Sequence, residues 1–154
     1  MKLENDKLTT EVQQFLGELL KRAGLDLRFW CEPEDEVINV QLHGQDAGMV
    51  LSDNARLLYA INHLLNRVFY RKLSDGYNFV VDCNEYRATR VMELQLLARK
   101  AAEKVQLSGI PFRLQAMPAS ERRVVHLALV EEPGVRTESE GAGLHRGVVI
   151  LPDE

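Results

Sequence analysis

The hydrophobic period of this chain switches from helical to alternating and back again, and those switches restrict the fold more than any single residue. Leu8, Val12, Phe15, Leu16, Leu19, Leu20 and Ala23 recur at helical spacing, and Gly24 follows as a helix C-cap. Leu25, Leu27, Phe29 and Cys31 then alternate with Asp26, Arg28 and Trp30, which is the signature of a half-buried strand. Glu32-Pro33-Glu34-Asp35 reads as a turn, and Ile38, Val40 and Leu42 form a second alternating run, so the pair is expected to be an antiparallel hairpin. Gly44-Gln45-Asp46 breaks it. The first residues, Met1 to Asp6, are polar and are expected to fray.

A short helical turn over residues 47–51 precedes Ser52, which suits an N-cap, with Asp53 placed to complement the helix dipole. Leu57, Leu58, Ile61, Leu64, Leu65, Val68 and Phe69 then mark a long amphipathic helix that ends at Leu73-Ser74-Asp75-Gly76. Tyr77, Phe79, Val81 and Cys83 alternate as a third strand. A second long helix is expected from Asn84 to about Gln106, with Val91, Leu94, Leu97, Ala98, Ala101 and Val105 buried and Gly109 and Pro111 closing it. A strand at 112–116, a helix at 118–130 and strands near 135–139 and 147–151 complete an α+β chain.

Length allows two small domains, and 45% apolar with 27% charged residues fits a globular protein. No run approaches the roughly 20 apolar residues that span a bilayer, and no signal peptide opens the sequence, so a cytoplasmic protein without membrane insertion is expected. Cys31 and Cys83 fit reduced thiols and imply no disulfide framework. Charge is unevenly placed: residues 1–83 hold 9 Lys and Arg against 13 Asp and Glu, whereas residues 84–154 hold 10 of each. Binding to a polyanion is therefore expected in the second half, and there weak and salt-sensitive.

One stretch carries chemistry: Met117-Pro118-Ala119-Ser120-Glu121-Arg122-Arg123-Val124-Val125-His126-Leu127-Ala128-Leu129. At about 100° per residue, Arg122, Arg123 and His126 share one arc of a helix, and Val125, Ala128 and Leu129 are expected to point to the buried side. Ser139-Glu140-Gly141, Arg146 and the run Val148-Val149-Ile150 follow at short range. The stretch resembles the Arg-x-x-x-His ("R-three-H") domain that binds single-stranded nucleic acid. With Tyr86-Arg87, Arg90 and Leu97-Ala98-Arg99-Lys100 on the preceding helix, and Gly48-Met49-Val50-Leu51 upstream, the chain resembles the bacterial Jag/KhpB family. In that family a KH domain precedes the R-three-H domain.

The resemblance implies a type II KH-like domain (α-β-β-α-α-β) over residues 1–83, a small α+β R-three-H domain over 84–154, and a short form without the Jag N-terminal domain. A KH domain grips a nucleotide backbone with a Gly-x-x-Gly loop. The matching positions here read Ser52-Asp53-Asn54-Ala55, without either glycine and with a carboxylate where a cation is usual. His145-Arg146-Gly147 also departs from the family's Tyr-Arg-Arg. By resemblance, then, the chain is a non-catalytic, regulatory binder of single-stranded RNA or DNA, working mainly through Arg122, Arg123, His126 and Arg146. Protonation of His126 below about pH 6.5 is expected to strengthen binding. The alternative is a protein-interaction module in cell-division or envelope regulation, with another KH protein as a candidate partner. Ser139 is expected to steady the histidine, and Arg87, Arg90, Arg99 and Lys100 to pair along their helix with Glu93 and Glu103. His43, His63, His145, Cys31 and Cys83 lack metal-site spacing, so neither metal nor cofactor is expected. Trp30 is expected to be packed rather than an exposed stacking platform.

Overall fold

The computed structural model describes residues 2–34, 36–73 and 78–153, with side chains from Lys7 onward. The chain is α+β and divides between Tyr86 and Arg87 into two compact units. No helix among the described residues is long and apolar enough to cross a membrane.

The first unit contains α1 (Lys2–Arg22), β1 (Leu27–Glu34), β2 (Val37–Gly44), α2 (Ala47–Phe69) and β3 (Asn78–Cys83). Helix α1 begins at Lys2, where the polar start had suggested fraying. It stops at Gly24, whose left-handed φ of 68° lets Leu25 N–H reach back to Leu20 C=O at 3.0 Å. β1 and β2 pair antiparallel, and β2 pairs parallel with β3, giving the order β1-β2-β3. Expected as a turn, Glu32-Pro33-Glu34 instead extends β1 to Glu34, opposite Val37. Pro33 is tolerated there because β1 is an edge strand and needs no outward donor. Asp35, Tyr77 and the Ser74-Asp75-Gly76 stop lie outside the described residues.

Ile38, Val40, Leu42, Phe79 and Val81 share one sheet face and bury against Val12, Leu16 and Leu20 of α1 and Leu58, Ile61, Leu65 and Phe69 of α2. Phe69 meets the rings of both Phe15 and Phe79 edge-on. Each such buried side chain contributes about 1.5–3 kcal/mol. The outer edge of β3 is closed by α2. Asn66 accepts from Phe79 N–H at 2.9 Å and donates to its C=O at 2.8 Å, and Asn62 accepts from Val81 N–H at 2.8 Å. Two asparagines four residues apart thus replace a fourth strand.

The second unit contains most of α3 (Tyr86–Ser108), then β4 (Phe112–Arg113), α4 (Ala119–Ala128), β5 (Val135–Glu140), a 3-10 turn (Gly143–His145) and β6 (Gly147–Pro152). Its sheet is antiparallel with β6 central, in the order β4-β6-β5. β6 buries Val148 and Ile150 against Leu94, Ala98, Ala101, Ala102 and Val105 of α3 and Val125 and Leu129 of the α4 segment. The alanines keep the buried stripe of α3 narrow, leaving Val91 and Leu97 exposed where burial was expected.

Candidate nucleic-acid interface

Helix α4 carries the Arg-x-x-x-His pair, and its packing is set by Val125, Leu129 and Glu121. Glu121 stands in the first turn, where a carboxylate complements the helix dipole, yet it is 4% exposed. Arg90 of α3 meets it through Nε at 3.2 Å and Nη2 at 3.1 Å, and also reaches Glu93 at 3.3 Å. The surface pairing expected for Arg90 is therefore present, but the stronger restraint is the buried carboxylate on the next helix.

Arg122 and His126 do not stand out into solvent as the helical arc suggested. Both are half-buried against β5, while Arg123 and Leu127 are exposed. The cause is the strand's alternation: Val135, Thr137 and Ser139 point to the core side, and Arg136, Glu138 and Glu140 point out. Two hydroxyls facing the core need partners, and the α4 side chains supply them. His126 Nδ1 lies 2.7 Å from Thr137 Oγ1, and Nε2 lies 2.8 Å from Ser139 Oγ. Arg122 Nη1 donates to the same Ser139 oxygen at 3.1 Å, while its Nε is buried without a partner. Burial, and then the neighbouring Arg122 charge, hold the His126 imidazole below its usual pKa.

The cations divide into paired and open ones. Arg113 bonds Glu140 at 2.8 Å, Arg136 pairs with Glu138, and Lys100 meets Glu103 at 2.9 Å as expected. Arg123 and Arg146 are exposed and form no ion pair among the described residues. Arg146 leaves the 3-10 turn, and its C=O accepts from Met117 N–H at 3.1 Å, tying that loop to the approach to α4. Gly141 makes the loop possible: at φ 93° a Cβ would stand 2.6 Å from His145 C=O. Arg122, His126, Thr137 and Ser139 are thus one cluster, while Arg146 is linked by its backbone to the segment before α4. The sequence singled out Ser139 but missed Thr137 and the Arg90–Glu121 pair. The strand alternation contained the signal for Thr137.

In the first unit, the segment matching the Gly-x-x-Gly loop interrupts α2. Ser52 is extended (φ −65°, ψ 161°), and Asp53, Asn54 and Ala55 are consecutively left-handed, with φ of 50°, 56° and 56°. The expected N-cap is therefore absent. The Ser52 hydroxyl instead donates back to Met49 C=O at 2.7 Å, and Asp53 pairs with Arg56 at 2.9 Å. Only glycine adopts such a run without penalty, and Asp and Asn tolerate it better than most other residues.

Residues 92–152 match the family model of the R-three-H domain. The chain is 33% identical over 147 residues to an RNA-binding protein KhpB from Clostridium symbiosum, covering 94% of this chain and 66% of that protein. It is 31% identical over 146 residues to an RNA-binding protein KhpB from Lactiplantibacillus plantarum, covering 95% of this chain and 45% of that one. A Bacillus subtilis relative of the same name is 28% identical over 117 residues, covering 75% of this chain and 56% of its own length. The chain thus spans from under half to about two thirds of the length of these relatives. Matches along nearly the whole sequence, together with a KH-like unit followed by the R-three-H unit, make this chain a member of the Jag/KhpB family.

Proposed function

We propose that the chain is a non-catalytic, cytoplasmic binder of single-stranded RNA that works mainly through its second unit. The relatives' names support RNA as the ligand. The observation that carries the reading is Ser139 Oγ shared by Arg122 and His126, on a helix that also exposes Arg123, with Arg146 exposed in the loop bonded to the approach to α4. Ser139 holds the Arg122 guanidinium in place through Nη1, which leaves Nη2 to donate to a phosphate oxygen. Arg123 and Arg146 add charge along the strand. His126 serves chiefly to position Ser139 and Thr137, since both ring nitrogens are already engaged. Its contact with RNA is through the ring edge or face.

The test is fluorescence polarisation of a labelled single-stranded RNA across a salt series. Each phosphate contact contributes about 0.7 to the slope of log affinity against log salt for a single strand. Arg123→Ala/Arg146→Ala should lower the slope by about 1.4 and weaken binding at low salt. An unchanged slope would remove both residues from the interface. A second reading, protein docking by the first unit, rests on Asp53: its carboxylate occupies the loop and its pairing with Arg56 engages the nearest cation. An Asp53→Gly variant with unaltered RNA affinity supports that reading, and a gain in affinity counts against it.

A further inference from the structure

The sheet face of the first unit that its helices do not cover holds a cleft of about 490 Å³, lined by Trp30, Glu32, Gln41, His43, Asn84 and Glu85. Trp30 is 43% exposed there, contrary to the expectation that a lone tryptophan is packed, and its ring lies 5.0 Å from that of His43. β1 and β2 bring these groups together by register: Trp30 stands opposite Gln41, and His43 is two residues along on the same face. Asn84 and Glu85 close one side from the turn after β3, where Asn84 N–H donates to Leu42 C=O at 3.3 Å.

Three properties define what this cleft can take. Glu32 and Glu85 are exposed carboxylates with no hydrogen bond or ion pair among the described residues, and no cation lines the cleft. Arg28, opposite His43 in register, is not among its lining residues. The indole offers an apolar face with negative electrostatic character. His43 Nδ1 is buried without a hydrogen-bond partner, so one wall has polar capacity that the chain itself does not satisfy. A phosphate-bearing ligand meets two carboxylates there, with Arg28 outside the lining. A planar cation meets an aromatic face and two acceptors.

We propose that this cleft is a docking site for an arginine side chain presented by a basic segment of a partner protein. The guanidinium stacks on Trp30, and its forked N–H groups donate to Glu32 and Glu85. Gln41 supplies a further acceptor at the floor. Lysine fits less well, because a compact ammonium cannot stack and bond in a fork at once. The surplus of acidic residues in this half of the chain steers a basic segment towards it. The site is built from first-unit residues, and its test does not depend on RNA binding by the second unit.

Trp30 is the chain's only tryptophan, so its fluorescence reports on the cleft directly. The full chain is titrated at low salt with acetyl-Gly-Arg-Gly-Arg-Gly-amide, the matching lysine peptide and guanosine monophosphate. The arginine peptide should give a saturable change in Trp30 emission, with the lysine peptide weaker. Glu32→Gln/Glu85→Gln, which alters two exposed carboxylates without changing their shape, should weaken the arginine peptide about fivefold or more. No response to the arginine peptide overturns the proposal. So does an equal response in the double variant, or a stronger response to the nucleotide, which would make the cleft a base-binding site.

Discussion

The interrupted α2 segment and helix α4 occupy the two positions where this family's nucleic-acid chemistry is expected, and they have diverged in opposite ways. At Ser52–Ala55 the backbone keeps a run of left-handed residues suited to glycine, but the residues are Asp, Asn and Ala and the charge is negative. At α4 the residues are kept, but Arg122 and His126 are drawn onto the hydroxyls of β5. One site retains shape without the chemistry, the other retains chemistry within a tighter frame. Backbone shape is held by the surrounding packing: Ala55 and Leu58 are fully buried, so the turn persists after its glycines are lost. Side-chain chemistry depends on single residues and can vanish while the fold stays intact.

The frame around α4 can be broken most sharply at Arg90. Glu121 is nearly inaccessible to solvent, and removing Arg90 takes away a two-point cationic contact while the carboxylate stays buried. Arg90→Ala should therefore cost about 3 kcal/mol in urea unfolding of the second unit. Arg90→Ala/Glu121→Gln should recover part of that loss, because the buried negative charge is gone. A cost below about 1 kcal/mol for the single variant would mean the pair behaves as a surface one, and α4 is held by its apolar packing and its bonds to β5.

Much of this was legible from periodicity. The switch of period at Gly24 and the heptad-like run in α2 located the helices and strands of the first unit, because a single amphipathic pattern decides each of them. Local periodicity does not carry topology, nor a polar interaction shared by two elements. The turn expected at Glu32-Pro33-Glu34 is strand because β1 lies at a sheet edge, a fact of topology invisible in local sequence. Leu129 is seven residues from Arg122, which at about 100° each leaves the two only about 20° apart, so Arg122 flanks the buried stripe instead of facing away from it. A helical wheel cannot show that Thr137 and Ser139 face that arc. Apolar residues announce their burial by type, whereas a half-buried arginine looks the same in sequence as a solvated one. Similarly, nothing in Asn62 and Asn66 signals that they close the edge of β3.

The loop in α2 separates shape from residue identity at adjacent positions. Asp53 is left-handed and Ser52 is not, so glycine should act with opposite sign at the two. Asp53→Gly relieves a left-handed non-glycine residue and loses only an exposed pair with Arg56, for a net gain of about 0.5–1 kcal/mol. Ser52→Gly relieves nothing and gives up the hydroxyl bond to Met49, at a cost of about 0.5–1 kcal/mol. Thermal midpoints of the two variants should move in opposite directions. Equal shifts would mean the left-handed run is not the conformation in solution.

The smallest effect concerns His126, where the structure revises the expected pH window. Because burial and Arg122 lower its pKa, the folded imidazole takes up a proton less readily than the unfolded one. Its contribution to stability is therefore complete above the unfolded pKa of about 6.5 and is lost as the pH falls through the folded value. The same shift moves any proton-driven gain in RNA affinity to lower pH than an ordinary histidine would show. NMR titration of the His126 ring should give a midpoint below that of a short unfolded peptide containing the same motif. Ser139→Ala leaves Nε2 without its hydroxyl, and also frees Arg122 from its tether, so the midpoint should move. If RNA affinity already rises as pH falls from 8 to 6.5, the imidazole is charging in solution where this hydroxyl clasp keeps it neutral. Arg122 and His126 would then be presented to solvent as the bare helix pattern suggests, and the contrast between the two sites would narrow to the lost glycines alone.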